Sequence, residues 1–231
     1  GHDLAQDDGL HRLVAALLAE TAVPRLRLSS LEPWDLSPNF FDLWADTRLC
    51  RQLHLPLQSG CDAVLRRMGR RATTADFAAL VDAARARIPG LALTTDLIVG
   101  FPGETVAEFQ ASYDFVASMD FARLHVFPYS PRPGTAAARM PAPVPSQVKA
   151  ERGRAMRRLG TRQAHCFRDR FLGHTLAVLW ETSRGDDLWH GLTDNYLSVT
   201  ASCAVNLANR ITPTRLVRTA KRGVWGVPVL A

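Results

Sequence analysis

The sequence predicts an α/β fold, part of a parallel sheet covered by helices, followed by a small all-β barrel. Three observations predict it. Strand-like aliphatic runs alternate with helix-period segments through the first two-thirds of the 231 residues, the pattern of a parallel sheet covered by helices. After Gly173 that pattern stops, and five short β-rich runs separated by turn residues follow, as in small antiparallel barrels. Between the two lies one basic segment with helical spacing. A hydrophobic share of 47% excludes wholesale disorder, and no run of eighteen apolar residues is present to cross a bilayer.

The elements follow in order. Leu10, Leu13, Val14, Leu17 and Leu18 share one face of a first helix. RLRLSS (25–30) reads as a strand, and Ser37-Pro38 opens a short helix with an N-cap and a first-turn proline. LHLPL (53–57) is a second strand, followed by a short helix from Cys61 to Met68. Thr73 or Thr74 caps a longer helix with Phe77, Leu80, Val81 and Ala84 inward. LALTTDLIVGF (91–101) has the aliphatic density of a strand buried on both faces. Thr105–Ser118 is a helix and RLHVFPYS (123–130) a fourth strand. Ser146 starts the basic helix after the PAPVP stretch, with Met156, Leu159, Gln163, Cys166 and Phe167 on its apolar side. The β-rich runs are 175–181, 187–192, 196–201, 211–219 and 224–230, with SRGDD, TDN and KRG as turns. The expected division is residues 1–145, a connecting helix at 146–172, and a β domain at 173–231. A complete eight-stranded α/β barrel needs about 250 residues. Four strands and a series that opens on a helix therefore predict a preceding strand and an N-terminal extension.

The net charge is +6, and residues 146–171 carry all of it, with eight Lys or Arg against two acids. Arg154, Arg157, Arg158 and Arg162 fall away from the apolar face. They read either as a solvated surface or as a phosphate-contacting stripe. The first ten residues are polar and acidic, without a secretory leader's pattern, and Cys50, Cys61, Cys166 and Cys203 are widely scattered. Together these predict a reduced, cytoplasmic setting without a disulfide framework. No CxxC, CxxxCxxC, Walker or GxGxxG motif occurs.

Polar and glycine-rich residues gather at the C-terminal ends of the strands, where parallel α/β folds build their sites. These are RLRLSSLEP (25–33), HLPLQSG (54–60), TTDLIVGFPGET (94–105) and HVFPYSPRPGT (125–135). Each alone is an ordinary turn; four on successive strands decorate one rim.

At these motifs the chain resembles the radical S-adenosylmethionine (SAM) methylthiotransferases. RLRLSSLEP, HLPLQSGCDAVLRRMGRR, TTDLIVGFPGET and LHVFPYSPRPGTAAARM carry the likeness in content, order and spacing. RLRLSSLEP and LHVFPYS are most similar to the subgroup acting on N6-threonylcarbamoyladenosine at tRNA position 37. DLWHGLTDNYLSV resembles the middle of a TRAM domain, a small RNA-binding barrel. The resemblance implies the C-terminal part of a partial TIM-type radical SAM barrel followed by a TRAM-like barrel. It implies methylthiolation at C2 of the adenine, with SAM and two 4Fe–4S clusters as cofactors. It also implies a tRNA anticodon stem–loop, a sulfur donor and an electron donor as partners, with no membrane. The cluster-binding CxxxCxxC is not in this sequence, so no metal ligand is assigned here.

Carried onto this chain, the resemblance places Gln58, Ser59, Ile98, Gly100, Glu104, His125 and Tyr129 against the cofactor. It places Arg27 and Glu32 toward the RNA substrate; Arg132 by its rim position, and Arg154, Arg157, Arg158 and Arg162 as the phosphate-contacting stripe, are expected to face the same substrate. Competing readings are a ribosomal-protein or isopentenyladenosine-tRNA methylthiotransferase, a non-catalytic RNA-binding module, and an unrelated barrel enzyme using the same rim.

Overall fold

Three parallel strands and a closed five-stranded barrel are joined by one long helix in the computed structural model, which describes residues 9–183 and 187–230. The acidic first eight residues and the centre of the SRGDD turn lie outside these. The open sheet has the order β1 (Gln52–His54), β2 (Ala92–Val99), β3 (Arg123–Pro128). Four helices accompany it: α1 (Gly9–Glu20), α2 (Asp62–Arg67), α3 (Thr74–Arg87) and α4 (Val106–Ser118). Pro38–Ala45 is a run of 3-10 helix that buries Phe40, Phe41 and Trp44.

Two expected strands come out shorter. Residues 25–31 form only isolated parallel bridges, Leu26 with Leu49 ahead of β1 and Ser30 with His54 at its end. The register slips by one residue between those bridges, which interrupts a continuous ladder. The second strand stops at His54 because Pro56 has no N–H to donate. Thr95 Oγ1 compensates by accepting from the Leu57 N–H at 3.0 Å, and pairing with β2 resumes at Gln58.

Helices α3 and α4 start on reciprocal caps, Thr73 with Asp76 and Thr105 with Glu108. Arg67 also grips Glu108 through two bonds of 2.7 and 2.9 Å. This Arg67 pairing, with the Thr105 N–H, holds the Glu108 carboxyl down to about 2. Because the folded value lies below the ordinary 4.5, the group stabilises the fold above that pH, and the contribution is lost as pH falls toward 2. Glu108→Ala should therefore cost about 1–2 kcal/mol at neutral pH. In urea titrations the gap to wild type should close between pH 4.5 and 2.

Helix α5 (Ser146–Asp169) buries Arg152, Gly153, Met156, Leu159, Gly160, Gln163 and Phe167. Met156 and Leu159 belong to the core beneath the sheet, and Phe167 to the core of the barrel. One apolar stripe thus ties the two cores together. Cys166, expected inward, is exposed beyond the edge of that stripe. Gly160 lets the helix approach β3, since a Cβ there would press on Leu124 at 3.0 Å.

The barrel comprises β4 (Thr175–Ser183), β5 (Leu188–Thr193), β6 (Ser198–Ser202), β7 (Ile211–Thr219) and β8 (Val224–Pro228), in the order β4-β5-β6-β8-β7, with β7 paired back to β4. Closure leaves no free edge. Alternate residues point inward along β5, and Val178, Trp180, Val199 and Leu216 fill the interior. No helix of the described residues is long and apolar enough to cross a membrane.

Candidate functional site

The C-terminal ends of the strands converge as the sequence anticipates, although only some of the expected residues meet there. Gln58 N–H donates to the Asp96 carbonyl at 2.9 Å, and Ile98 N–H donates to the Gln58 carbonyl at 2.8 Å. Tyr129 N–H donates to the Val99 carbonyl at 2.9 Å. These bonds set Gln58, Ile98 and Tyr129 side by side along a cleft of about 530 Å³, which Asp96, Phe127 and Arg132 also line. Gln58 holds a φ of +70°, a conformation costly for a non-glycine residue and concentrated at functional positions. The Tyr129 ring stands edge-on to Phe101 at 5.2 Å, while its hydroxyl is buried without a hydrogen-bond partner. A buried orphan of this kind is costly in a protein unless something occupies it.

Below the cleft, one face of the sheet carries a polar row across all three strands. His54 Nδ1 lies 3.0 Å from Thr94 Oγ1, and His54 Nε2 lies 3.4 Å from the Asp96 carboxylate. The His125 ring stacks edge-on against His54 at 5.8 Å, with Asp96 its register partner on β2. Burial and the neighbouring Arg123 push the His125 imidazole below its ordinary value, which favours the neutral ring. Asp96 and His54 were not anticipated. The available signal was Asp96 itself, a carboxylate within an otherwise aliphatic strand, where a charge is rarely buried without a partner.

Gly100, Glu104 and Ser59 are used internally. Glu104 accepts from the Gly100 N–H at 3.0 Å and from Arg152 Nη1 at 2.6 Å, with both charged side chains almost fully enclosed. Burial pushes the Glu104 carboxyl up, opposed by the Gly100 N–H and Arg152. Gly100 has φ +73°, and a Cβ there would collide with the Lys149 side chain, whose Nζ donates to the Tyr129 carbonyl at 3.0 Å. The strand end after β2 is therefore clamped beneath the start of α5. Ser59 is buried and accepts from the Cys61 N–H at 3.3 Å.

Arg27 lies at the other end of the sheet, bonded to the Thr193 and Asp194 carbonyls and stacked 4.6 Å from the Tyr196 ring centroid. Arg25 bonds the Leu192 and Ala177 carbonyls, and Arg51 pairs with Asp194. These three arginines fasten the barrel to the N-terminal ends of the strands. Glu32 stands 3.6 Å from Arg70, outside the cleft. Arg154, Arg157, Arg158 and Arg162 are all exposed. They divide, however: Arg162 reaches Tyr113 Oη on α4 at 2.8 Å, whereas Arg157 lines a second cleft between α5 and the barrel.

The residues present do not fit an iron–sulfur cluster. Cys50 is buried, with burial pushing its thiol up, and Cys61, Cys166 and Cys203 lie in other elements. Among the described residues no group of three His, Cys, Asp or Glu could hold a metal ion.

The radical SAM superfamily model matches residues 1–116. The threonylcarbamoyladenosine tRNA methylthiotransferase MtaB of Bacillus subtilis is 34% identical over 201 residues, covering 85% of this chain and 45% of the relative. The tRNA-2-methylthio-N(6)-dimethylallyladenosine synthase of Caldicellulosiruptor saccharolyticus is 32% identical over 228 residues, 98% of this chain and 48% of the relative. The chain spans about half the length of these two curated relatives. Among solved structures, coproporphyrinogen III oxidase (HemN) from Escherichia coli, a radical SAM enzyme, superposes with a TM-score of 0.55. It is 17% identical, with 97% of this chain and 57% of that chain covered, so the likeness is one of fold. With the superfamily model spanning half its length, and tRNA methylthiotransferases among its relatives, the chain belongs to the radical SAM superfamily.

Proposed function

We propose that this chain forms the substrate-facing part of a cytoplasmic tRNA methylthiotransferase. It would act at C2 of N6-threonylcarbamoyladenosine in the anticodon stem–loop, position 37. The observation that carries the reading is the cleft at the strand ends, where Gln58, Ile98, Tyr129 and Arg132 meet. Ile98 and Phe127 offer apolar surface to a nucleoside, and the orphaned Tyr129 hydroxyl offers it a hydrogen bond. These residues suit the adenosyl part of SAM. When bound, SAM supplies the methyl group and, by reductive cleavage, the radical that activates the substrate carbon. The 4Fe–4S clusters of such an enzyme find no ligand set among the described residues; a sulfur donor and an electron donor are its expected partners.

Arg132 favours the threonylcarbamoyl substrate. That substituent ends in a carboxylate, which a guanidinium binds through charge-assisted hydrogen bonds; a dimethylallyl group has nothing for Arg132 to bind. In the same reading residues 1–145 hold the cofactor wall, 146–172 the connecting helix and 173–231 an RNA-binding barrel.

The test is mass spectrometry of digested tRNA from a host lacking the modification, after expression of the protein that carries this segment. The methylthio derivative of threonylcarbamoyladenosine is expected, and Arg132→Ala should reduce it at least tenfold. Accumulation of the dimethylallyl product instead would overturn the substrate assignment. Anaerobic reconstitution of the 231-residue chain should leave no stoichiometric cluster after desalting, measured as iron and sulfide, because no three thiolates converge. Reversing Arg154, Arg157, Arg158 and Arg162 to Glu together should weaken binding to several tRNAs alike, since reversed charge along α5 repels phosphates whatever the base sequence. Fluorescence anisotropy at two salt concentrations reads that loss.

A further inference from the structure

A second cleft, of about 710 Å³, lies between β3, α5 and the barrel. Five cations line it: Arg123 at the start of β3, Arg157 and Arg168 on α5, and Lys221 and Arg222 in the β7–β8 turn. No carboxylate lines it, and none of the five pairs with one among the described ion pairs. The acids nearby are engaged elsewhere, Asp194 by Arg51 and Asp120 by Arg170. The Arg168 Nε is buried and has no hydrogen-bond partner. The other four cations are exposed; a cluster of one sign beside an unsatisfied buried donor raises the local positive potential and attracts an anion.

Tyr196 from the β5–β6 turn completes the wall. Its backbone holds a φ of +65°, strained for a bulky side chain, yet the ring stays 41% exposed. The Arg27 guanidinium lies 4.6 Å from the ring centroid, which polarises the ring and leaves its exposed surface for a partner. An aromatic platform beside a basic groove is the combination that holds single-stranded nucleic acid. Arg157 and Arg168 are about 16 Å apart along the helix, the length of about five stacked nucleotides.

We infer that this cleft is a binding groove for single-stranded RNA, with phosphates on Arg123, Arg157, Arg168, Lys221 and Arg222 and one base on Tyr196. The inference rests on the RNA-modifying reading and deepens it. The backbone path lies inside the junction of helix and barrel, not over the outer face of α5, so Arg157 belongs to the path while Arg154, Arg158 and Arg162 do not.

The experiment is an anisotropy titration of the chain with a labelled twelve-nucleotide single-stranded RNA and a duplex of equal length, at 50 and 200 mM salt. Five phosphate contacts predict about a hundredfold weakening across that interval. Replacing Arg157, Arg168, Lys221 and Arg222 by Gln should remove most of the affinity and flatten the salt dependence. The Arg154, Arg158 and Arg162 to Gln triple should stay within about threefold of wild type. Tyr196→Ala should weaken the single strand about tenfold and Tyr196→Phe should not; circular dichroism melts verify that each variant is folded. If the outer triple carries the loss and the cleft variant does not, the groove is wrong while the RNA reading stands. If wild type binds neither RNA, both fall. Equal affinity for the duplex, or an unchanged Tyr196→Ala, overturns the single-strand assignment.

Discussion

Arg152→Ala is expected to destabilise the fold by about 3–5 kcal/mol, a large share of the total stability of a domain this size. The guanidinium is enclosed, bonds both the carboxylate and the carbonyl of Glu104, and lies 5.3 Å from the Phe109 ring centroid. Its removal leaves a buried carboxylate with the Gly100 N–H as its remaining partner. Burial already raises the Glu104 carboxyl above its ordinary 4.5, and losing Arg152 should raise it further. A folded value above the unfolded one contributes stability below pH 4.5 that is lost as pH rises through the folded value. The variant should therefore lose more at pH 8 than at pH 5, which urea titrations at the two pH values would show. A pH-independent deficit would mean that lost packing dominates. A Glu104→Leu, Arg152→Met double variant should recover much of the loss, since apolar replacements of buried ion pairs are often neutral.

Trp180→Ala is the second large effect, expected at about 3–5 kcal/mol. Trp180 is fully buried at the centre of the barrel, and its Nε1 donates to Thr212 Oγ1 at 2.7 Å. The variant leaves a cavity that a closed barrel cannot collapse onto, together with an unpaired Thr212 hydroxyl. Amide exchange should accelerate along β4 to β8 and far less in β2, because Trp180 belongs to the barrel's core and β2 packs mainly on the other. Trp180→Phe should cost less by keeping most of the volume. A loss below about 1 kcal/mol would show that the barrel's packing is not centred on this ring.

Much of this architecture is legible in the residues alone. The alternating strands and helices, the five short β runs and the basic helix all follow from hydrophobic period and turn chemistry, which act locally. The strand expected over 53–57 ends at His54 instead, because Pro56 within it has no N–H for the ladder. The slip between Leu26 and Ser30 does not show in the sequence, because register depends on which neighbour a strand meets. The site divides along the same line. The rim motifs of 54–60, 94–105 and 125–135 mark one end of the sheet, and Gln58, Ile98 and Tyr129 line one cleft there. Charge on α5 is countable from composition, down to its exposed arginines.

Only the tertiary structure decides how each polar group is spent. Glu104 reads as a rim residue and Arg152 as one charge of the basic segment, yet they neutralise each other in the interior. Arg27 reads as a strand-end arginine, yet it fastens the barrel's β5–β6 turn. Arg157 and Arg162 share one basic helix, yet one faces a cleft and the other a neighbouring helix. Local pattern fixes which face of an element is apolar, because burial of apolar surface is non-directional and large. A charged side chain's role depends instead on a partner within a few ångströms, and that partner is chosen by packing between segments far apart in the chain.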